Sequence, residues 1–319
     1  MNDEIIKLSV RNLVEFVLRA GDIDSSFKSM TRALEGTLAH QKVQRSKGIE
    51  YTPEVFLKNE FEYEGFKFSL EGRADGVIEI EDEFIVDEIK STRVDLSSID
   101  ENYNLLHWAQ AKCYAYIVCK DEDLQDIGIQ LSYYNIDTEE LKIIKKDYTF
   151  EELKKFFFDI IDKYLVWAKF IEEWVIIRNE SIEAMKFPFD TYRRGQRILA
   201  VSVYKALEEN KKLFAQAPTG IGKTISTLFP SIKALKYTNS SKVFYLTAKT
   251  ITRQVANEAV SLMESNGLKV KSLTITAKEK ICPLEETICN PEHCKYAKGH
   301  FDRVNDALLD IINSEDTYD

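Results

Sequence analysis

A chain of 319 residues, 44% of them hydrophobic, has enough apolar surface for one large core or two ordinary ones, and the usual size of a domain favours two. No run approaches the roughly 18 apolar residues that cross a bilayer, and the start MNDEIIKLSV lacks the basic end and apolar core of a secretory signal, so a membrane role is excluded and a cytoplasmic one expected. The net charge of -10 speaks against a nucleic-acid partner only as an average: Lys plus Arg against Asp plus Glu is 18 to 30 over residues 1–150, but 18 to 8 over residues 191–300.

In chain order, residues 26–46 have few breakers and helical spacing and are expected to be helical. Residues 66–80 and 83–92, rich in β-branched and aromatic side chains around an acidic turn, read as a hairpin. A helix over 105–120 follows, then a second strand pair over 127–137 and 141–149. Residues 150–185 hold no Gly or Pro and predict one long connecting helix. Beyond a break at 187–190, helices over 193–209, 223–237 and 250–264 alternate with strands over 212–218, 242–248 and 270–277, the rhythm of a parallel α/β sheet.

The strand EFIVDEIKS ends in Asp87 and Glu88 like the acidic strand of an ATPase, yet it precedes the only phosphate-loop pattern by about 130 residues, the wrong side of it. Another reading fits more residues. Glu88 and Lys90, two apart on a strand, share a face, and Asp75 in GRADGV belongs to the end of the preceding strand. Two carboxylates and a lysine at one point suit metal-assisted phosphodiester hydrolysis, with Mg²⁺ or Mn²⁺ on the carboxylates and Lys90 offsetting charge in the transition state. Asp87 is left as either a supporting carboxylate or an exposed one. This pattern resembles the PD-(D/E)XK nucleases, specifically their RecB-like branch, over roughly residues 30–120. The resemblance implies a metal-site histidine, matched by His40, and a Q-x-x-x-Y helix, matched by Gln110 and Tyr114, which touches DNA or orders the site. Cys113 and Cys119 read as buried helix residues.

The stretch AQAPTGIGKT, residues 215–224, lies between an expected strand and an expected helix, where Gly220 and Gly222 let the backbone turn its N–H groups toward phosphate. Lys223 is placed to reach the β- and γ-phosphates of ATP and Thr224 to hold Mg²⁺, with Ala217, Pro218, Thr219 and Ile221 completing the cradle. Taken alone, Gln196 reads as a surface helix residue; within YRRGQRI it resembles the Q motif of superfamily 2 helicases, which implies contact with adenine. The stretch with Thr247, Lys249 and Thr250 resembles their motif Ia, which implies contact with the DNA backbone.

Five cysteines, an odd and unevenly spread number, do not form a secreted disulfide framework. Cys282, Cys289 and Cys294 fall within thirteen residues among Pro and Gly, a spacing that suits an iron-sulfur cluster or, with His293 or His300, zinc. The segment resembles the insertion of XPD/DinG-like iron-sulfur helicases, where four cysteines hold a 4Fe-4S cluster; the fourth is expected beyond Asp319. The acidic strand and second RecA-like domain that such helicases need are absent, so the chain is expected to be an amino-terminal piece that binds ATP and hydrolyses it poorly.

The expected architecture is therefore α/β: a restriction-endonuclease-like α+β nuclease domain over 1–149, a connecting helix over 150–186, and a partial RecA-like parallel α/β P-loop domain over 187–319. Its expected partners are DNA, ATP and divalent metal, in DNA repair. The rivals are a non-catalytic DNA-binding adaptor with a dead nuclease site, and a P-loop NTPase unrelated to nucleic acid.

Overall fold

The computed structural model of the chain describes residues 5–24, 31–81, 83–248 and 250–314. It forms two units, one gathering residues up to 166 with those from 276 onward, the other spanning residues 167–275.

The first unit is built on a mixed six-stranded sheet of β1 (Ile6–Ser9), β2 (Tyr51–Tyr63), β3 (Phe66–Ile80), β4 (Glu83–Thr92), β5 (Asp126–Asn135) and β6 (Leu141–Thr149). β3 pairs antiparallel with β2 along one edge; along the other it pairs first with β1, parallel, and then with β4, antiparallel. β4 runs parallel to β5, and β6 closes the far edge antiparallel to β5. β5, covered on both faces, is buried at almost every position, whereas edge strand β6 alternates exposed with half-buried residues.

Four helices attend the sheet: α1 (Val10–Val17), α2 (Thr31–Arg45), α3 (Leu105–Asp121) and α4 (Phe150–Ala184). Ser9 caps α1 by accepting the Asn12 N–H at 3.1 Å. A capping box starts α4, in which Glu152 accepts the Thr149 N–H at 2.9 Å and Thr149 Oγ1 accepts the Glu152 N–H at 3.3 Å. Side chains of α1, α3 and the first turns of α4 pack with Phe68, Leu70, Val86, Ile129 and Leu131 in one large core, which also holds Cys113 and Cys119. On the opposite face α2 rests on a small separate cluster of Ala39, Val43, Ile89 and Tyr134. The expected helix over 26–46 is described only from Thr31, its earlier residues lying outside the described ones. β1, α1 and β2 are additions to the expected order.

In the second unit the end of α4 packs through Ile182 and Met185 against α6 (Lys223–Tyr237) and α7 (Thr250–Ser265), and α5 (Gln196–Glu208) stands beside α6. Here the sequence reading needs correcting. The three segments expected as strands, 212–218, 242–248 and 270–277, form no strand ladder among the described residues. Their apolar side chains stay in the open, with Phe214 94%, Leu246 88% and Leu273 86% exposed. A helix closes its hydrogen bonds within itself, whereas a parallel strand must find them on a neighbour reached through a long crossover, so local composition marks the segment without assembling the sheet.

The chain then returns to the first unit through α8 (Lys278–Ile281) and α9 (His300–Asn313). No helix among the described residues is long and apolar enough to cross a membrane.

Candidate active site and phosphate loop

The sheet forks at Asp75. β3 is in register with β1 from Phe68 to Glu71 and with β4 from Gly76 to Ile80, so residues 72–75 have no partner on that edge. On the other edge the register passes from Val55 opposite Ala74 to Pro53 opposite Gly76 and skips Glu54 and Asp75. Glu54 there takes a φ of 54°, in the left-handed region that non-glycine residues rarely enter. Asp75 is thus in mid-strand rather than at a strand end, and its polar groups find partners outside the ladder. Its Oδ2 accepts the Ile89 N–H at 2.7 Å, and its carbonyl accepts Gln44 Nε2 at 2.9 Å and the Tyr51 hydroxyl at 3.2 Å.

Glu88 and Lys90 share the α3 face of β4, as strand alternation requires. Glu88 is 1% exposed; its Oε1 accepts Lys90 Nζ at 2.5 Å, and its buried Oε2 has no hydrogen-bond partner. Burial pushes the Glu88 carboxyl up to about 7 against the pull of Lys90. From α2, His40 brings Nδ1 to 3.2 Å from Asp75 Oδ1. Burial lowers the imidazole, but the hydrogen bond and charge of Asp75 outweigh it and hold it above the ordinary histidine value. No three His, Cys, Asp or Glu side chains among the described residues stand as a metal-ligand group. Lys90 and the Ile89 N–H bond one oxygen each of Glu88 and Asp75. The donors nevertheless fit a hard divalent ion, because carboxylate oxygens and an imidazole meet there and a buried, partnerless Glu88 oxygen is the atom such an ion satisfies.

Asp87 is neither exposed nor on this face. It is 0% exposed, accepts the Ser132 hydroxyl at 2.6 Å, and lies 3.4 Å from Lys47 Nζ.

Over the Glu88 face, α3 places Gln110 Oε1 3.5 Å from Lys90 Nζ, and one turn later Tyr114, hydrogen-bonded to Gln110 and to the Arg73 backbone. Tyr114 lies flat on Gly72, where a Cβ would come within 2.7 Å of the hydroxyl. His40, Asp75, Glu88, Lys90, Gln110 and Tyr114 are therefore brought into one connected cluster. Two neighbours were missed by the sequence reading. Arg11 on α1 is close enough for the charges of Glu88 and Tyr114 to raise it, after the larger effect of Glu15. His107, three residues before Gln110, sits with Nδ1 2.9 Å from the Tyr133 hydroxyl, and burial with Lys90 lowers it to about 3. The helical offset of His107 from Gln110 was the signal available; α1, unread, gave none.

In the second unit, Gly220 and Gly222 take φ values of 83° and 82°, the left-handed turn that presents backbone N–H groups before a helix. α6 begins at Lys223 with no side-chain cap, so the first turn, including Thr224, offers N–H groups to an anion. Lys223 Nζ folds back to the carbonyls of Ala217 and Pro218 at 3.0 and 3.1 Å, and Arg193 donates to the Gly220 carbonyl at 2.7 Å, beyond Thr219 and before Ile221. Gln196 is not on the surface. It is 3% exposed, accepts the Arg193 N–H at 2.9 Å, and would lie 2.5 Å from a Cβ at Gly222. Thr247 lies in an extended segment and Thr250 opens α7, while Lys249 is outside the described residues.

Cys282, Cys289 and Cys294 do not form a metal-ligand group among the described residues. Cys282 ends α8, whereas Cys294 is buried in a turn whose Ala297 carbonyl accepts the Ile23 N–H.

Known proteins add the lineage. Residues 197–313 match the DEAD/DEAH box helicase family, and residues 10–197 match the PD-(D/E)XK nuclease superfamily. A probable ATP-dependent helicase of Methanocaldococcus jannaschii, MJ0942, is 31% identical over 121 residues, 38% of this chain and 18% of that protein's length. Among solved structures, SSO0001 aligns over 50% of this chain and 78% of its own with a TM-score of 0.33 and 20% identity. Scheffersomyces stipitis Rai1 aligns over 47% and 51% with a TM-score of 0.21 and 12% identity. Scores this low place no constraint on the fold. The nuclease match, by contrast, takes in more than half of the residues and every side chain gathered at the fork of the sheet: this chain belongs to the PD-(D/E)XK nuclease superfamily and continues into a DEAD/DEAH box helicase domain.

Proposed function

We propose that the cluster at the sheet fork hydrolyses DNA phosphodiester bonds with a divalent cation held by Asp75 and Glu88, assisted by His40. The observation that carries this reading is the buried, partnerless Oε2 of Glu88 beside Asp75, His40 and Lys90. Mg²⁺ or Mn²⁺ held there would supply a bound water of lowered pKa and neutralise charge on the scissile phosphate. Lys90, which rests on Glu88, stands beside the carboxylate that would hold the cation and would offer its ammonium to a phosphoryl oxygen of the substrate. Gln110 keeps the ammonium on the α3 side of the sheet, and Tyr114 fixes Gln110.

The loop from Ala217 to Thr224 is proposed to bind ATP, with the helix N-terminus and Lys223 on the phosphates and Gln196, buried against Gly222, transmitting occupancy to α5. The chain spans 18% of the length of the helicase it matches, so ATP-driven strand separation, and a role in DNA repair, are proposed for the whole protein.

The test is cleavage of single- and double-stranded DNA with Mn²⁺, beside calorimetric titration of the ion. Asp75→Ala and Lys90→Ala should each reduce cleavage by about 100-fold or more; undiminished cutting by both would end the reading. A chain that binds DNA but shows no Mn²⁺ site dependent on Asp75 and Glu88 would instead be a non-catalytic adaptor.

A further inference from the structure

Asp75 leaves the β ladder on both edges, yet a carboxylate that is to meet a cation has to be held still. Two side chains with no assigned role do the holding. Gln44 bridges the residues that the β2–β3 register skips, its Nε2 donating to the Asp75 carbonyl at 2.9 Å and to Glu54 Oε1 at 3.0 Å. The Tyr51 hydroxyl donates to the same carbonyl at 3.2 Å, and its ring lies so close over Gly76 that a Cβ there would be 2.1 Å away. Gln44 is also four residues after His40, so one face of α2 touches Asp75 twice, at the side chain through His40 and at the backbone through Gln44.

We infer that Gln44 and Tyr51 are positioning residues that close the gap in the sheet behind Asp75 and hold its carboxylate in register with Glu88. This rests on the nuclease reading above and deepens it. Ladder hydrogen bonds normally fix a strand residue to a fraction of an ångström; here two side-chain donors on one carbonyl substitute for them. Partners behind a ligand typically change metal affinity by about 10- to 100-fold when removed. The same helix that supplies His40 therefore also sets the backbone of the carboxylate His40 contacts.

The experiment compares Mn²⁺ binding by calorimetry in the wild-type chain, Gln44→Met, which keeps the shape and loses the donor, Tyr51→Phe, which keeps the ring, and Lys42→Ala, which lies on the same helix as Gln44 but loses only contacts remote from Asp75, an ion pair with Glu139 and a contact with the Tyr134 ring. Expected is binding about 10-fold weaker or more in Gln44→Met and in Tyr51→Phe, unchanged binding in Lys42→Ala, and melting temperatures of all four chains within a few degrees. Should Gln44→Met fail to fold, Tyr51→Phe tests the same carbonyl. Wild-type affinity in both donor-loss variants would overturn the positioning role and leave the nuclease reading intact. Absence of an Asp75-dependent Mn²⁺ site in the wild-type chain would overturn both.

Discussion

His107 is neutral in the folded chain because burial, reinforced by Lys90, costs its charged form more than the Tyr133 hydroxyl returns. Its folded pKa of about 3 lies below the ordinary 6.5, so between those values the unfolded chain binds the extra proton and stability rises with pH. The contribution is complete above about pH 6.5 and is lost on acidification toward 3, at no more than about 1.4 kcal/mol per pH unit. Urea unfolding of His107→Asn at pH 7 and pH 4 should show a gap between the two smaller than in the wild type by about 1 to 3 kcal/mol; equal gaps would mean that this imidazole titrates as an exposed one does. At this scale the sequence was informative where spacing encodes a face. Glu88 with Lys90, and Gln110 with Tyr114, were legible because two on a strand and four on a helix each fix a direction. Gln44 was legible in the same way, four after His40, but its role depends on a break in a strand pairing that no local pattern announces. Asp87 stayed undecided between a supporting and an exposed carboxylate, because a buried aspartate and an exposed one look alike until Lys47 and Ser132 are brought to it from 40 and 45 residues away.

Between elements, the contact that positions α3 over the site is a glycine against a ring. A methyl on Gly72 would fall 2.7 Å from the Tyr114 hydroxyl and 2.8 Å from Cε1, and Tyr114 at 2% exposure has no free space to enter. Gly72→Ala should lower unfolding stability by about 1 to 3 kcal/mol and, by tilting Tyr114 and Gln110 off Lys90, reduce Mn²⁺-dependent cleavage beyond what the stability loss explains. Chemical unfolding and cleavage under fully folded conditions separate the two effects, and intact cleavage would show that α3 tolerates displacement. The strands and helices with strong local signals, β3 to β6, α3 and α4, were legible. β2 was overlooked because Pro53 and four glutamates or lysines dilute its alternation, although its buried positions Tyr51, Leu57 and Asn59 all face inward from odd-numbered places. β1 is too short to carry a period. In the second unit the opposite failure occurs: the strand composition is present and no ladder forms among the described residues, since pairing is a property of neighbours rather than of the segment.

At the level of the molecule, the boundary between units does not follow the boundary between sequence families. Residues 276–313 lie within the helicase match yet pack with the nuclease unit, meeting the loop after α1. The joint is reciprocal: Ile23 N–H donates to the Ala297 carbonyl and Phe301 N–H to the Gly21 carbonyl, both at 2.9 Å, while Asp22 and Asp302 accept the N–H groups of Gly299 and Gly21 at 2.6 and 2.8 Å. Asn305 is its hinge pin, accepting Arg19 Nε at 2.7 Å and donating to the Phe16 carbonyl at 2.8 Å. Removing that side chain takes an acceptor from the half-buried Arg19 guanidinium and a donor from the Phe16 carbonyl, at a cost of about 1 to 2 kcal/mol to the joint alone. Asn305→Ala should therefore speed hydrogen exchange at the Ile23 and Phe301 amides by about 10-fold, because local opening draws on the local interaction energy, while exchange in β4 and β5 stays as it was. Mass-spectrometric exchange of peptides covering 16–24 and 294–305 makes the measurement. If those peptides already exchange at the unprotected rate in the wild type, the cysteine-bearing segment does not hold to the nuclease unit in solution, and the two would have to be treated as independent bodies.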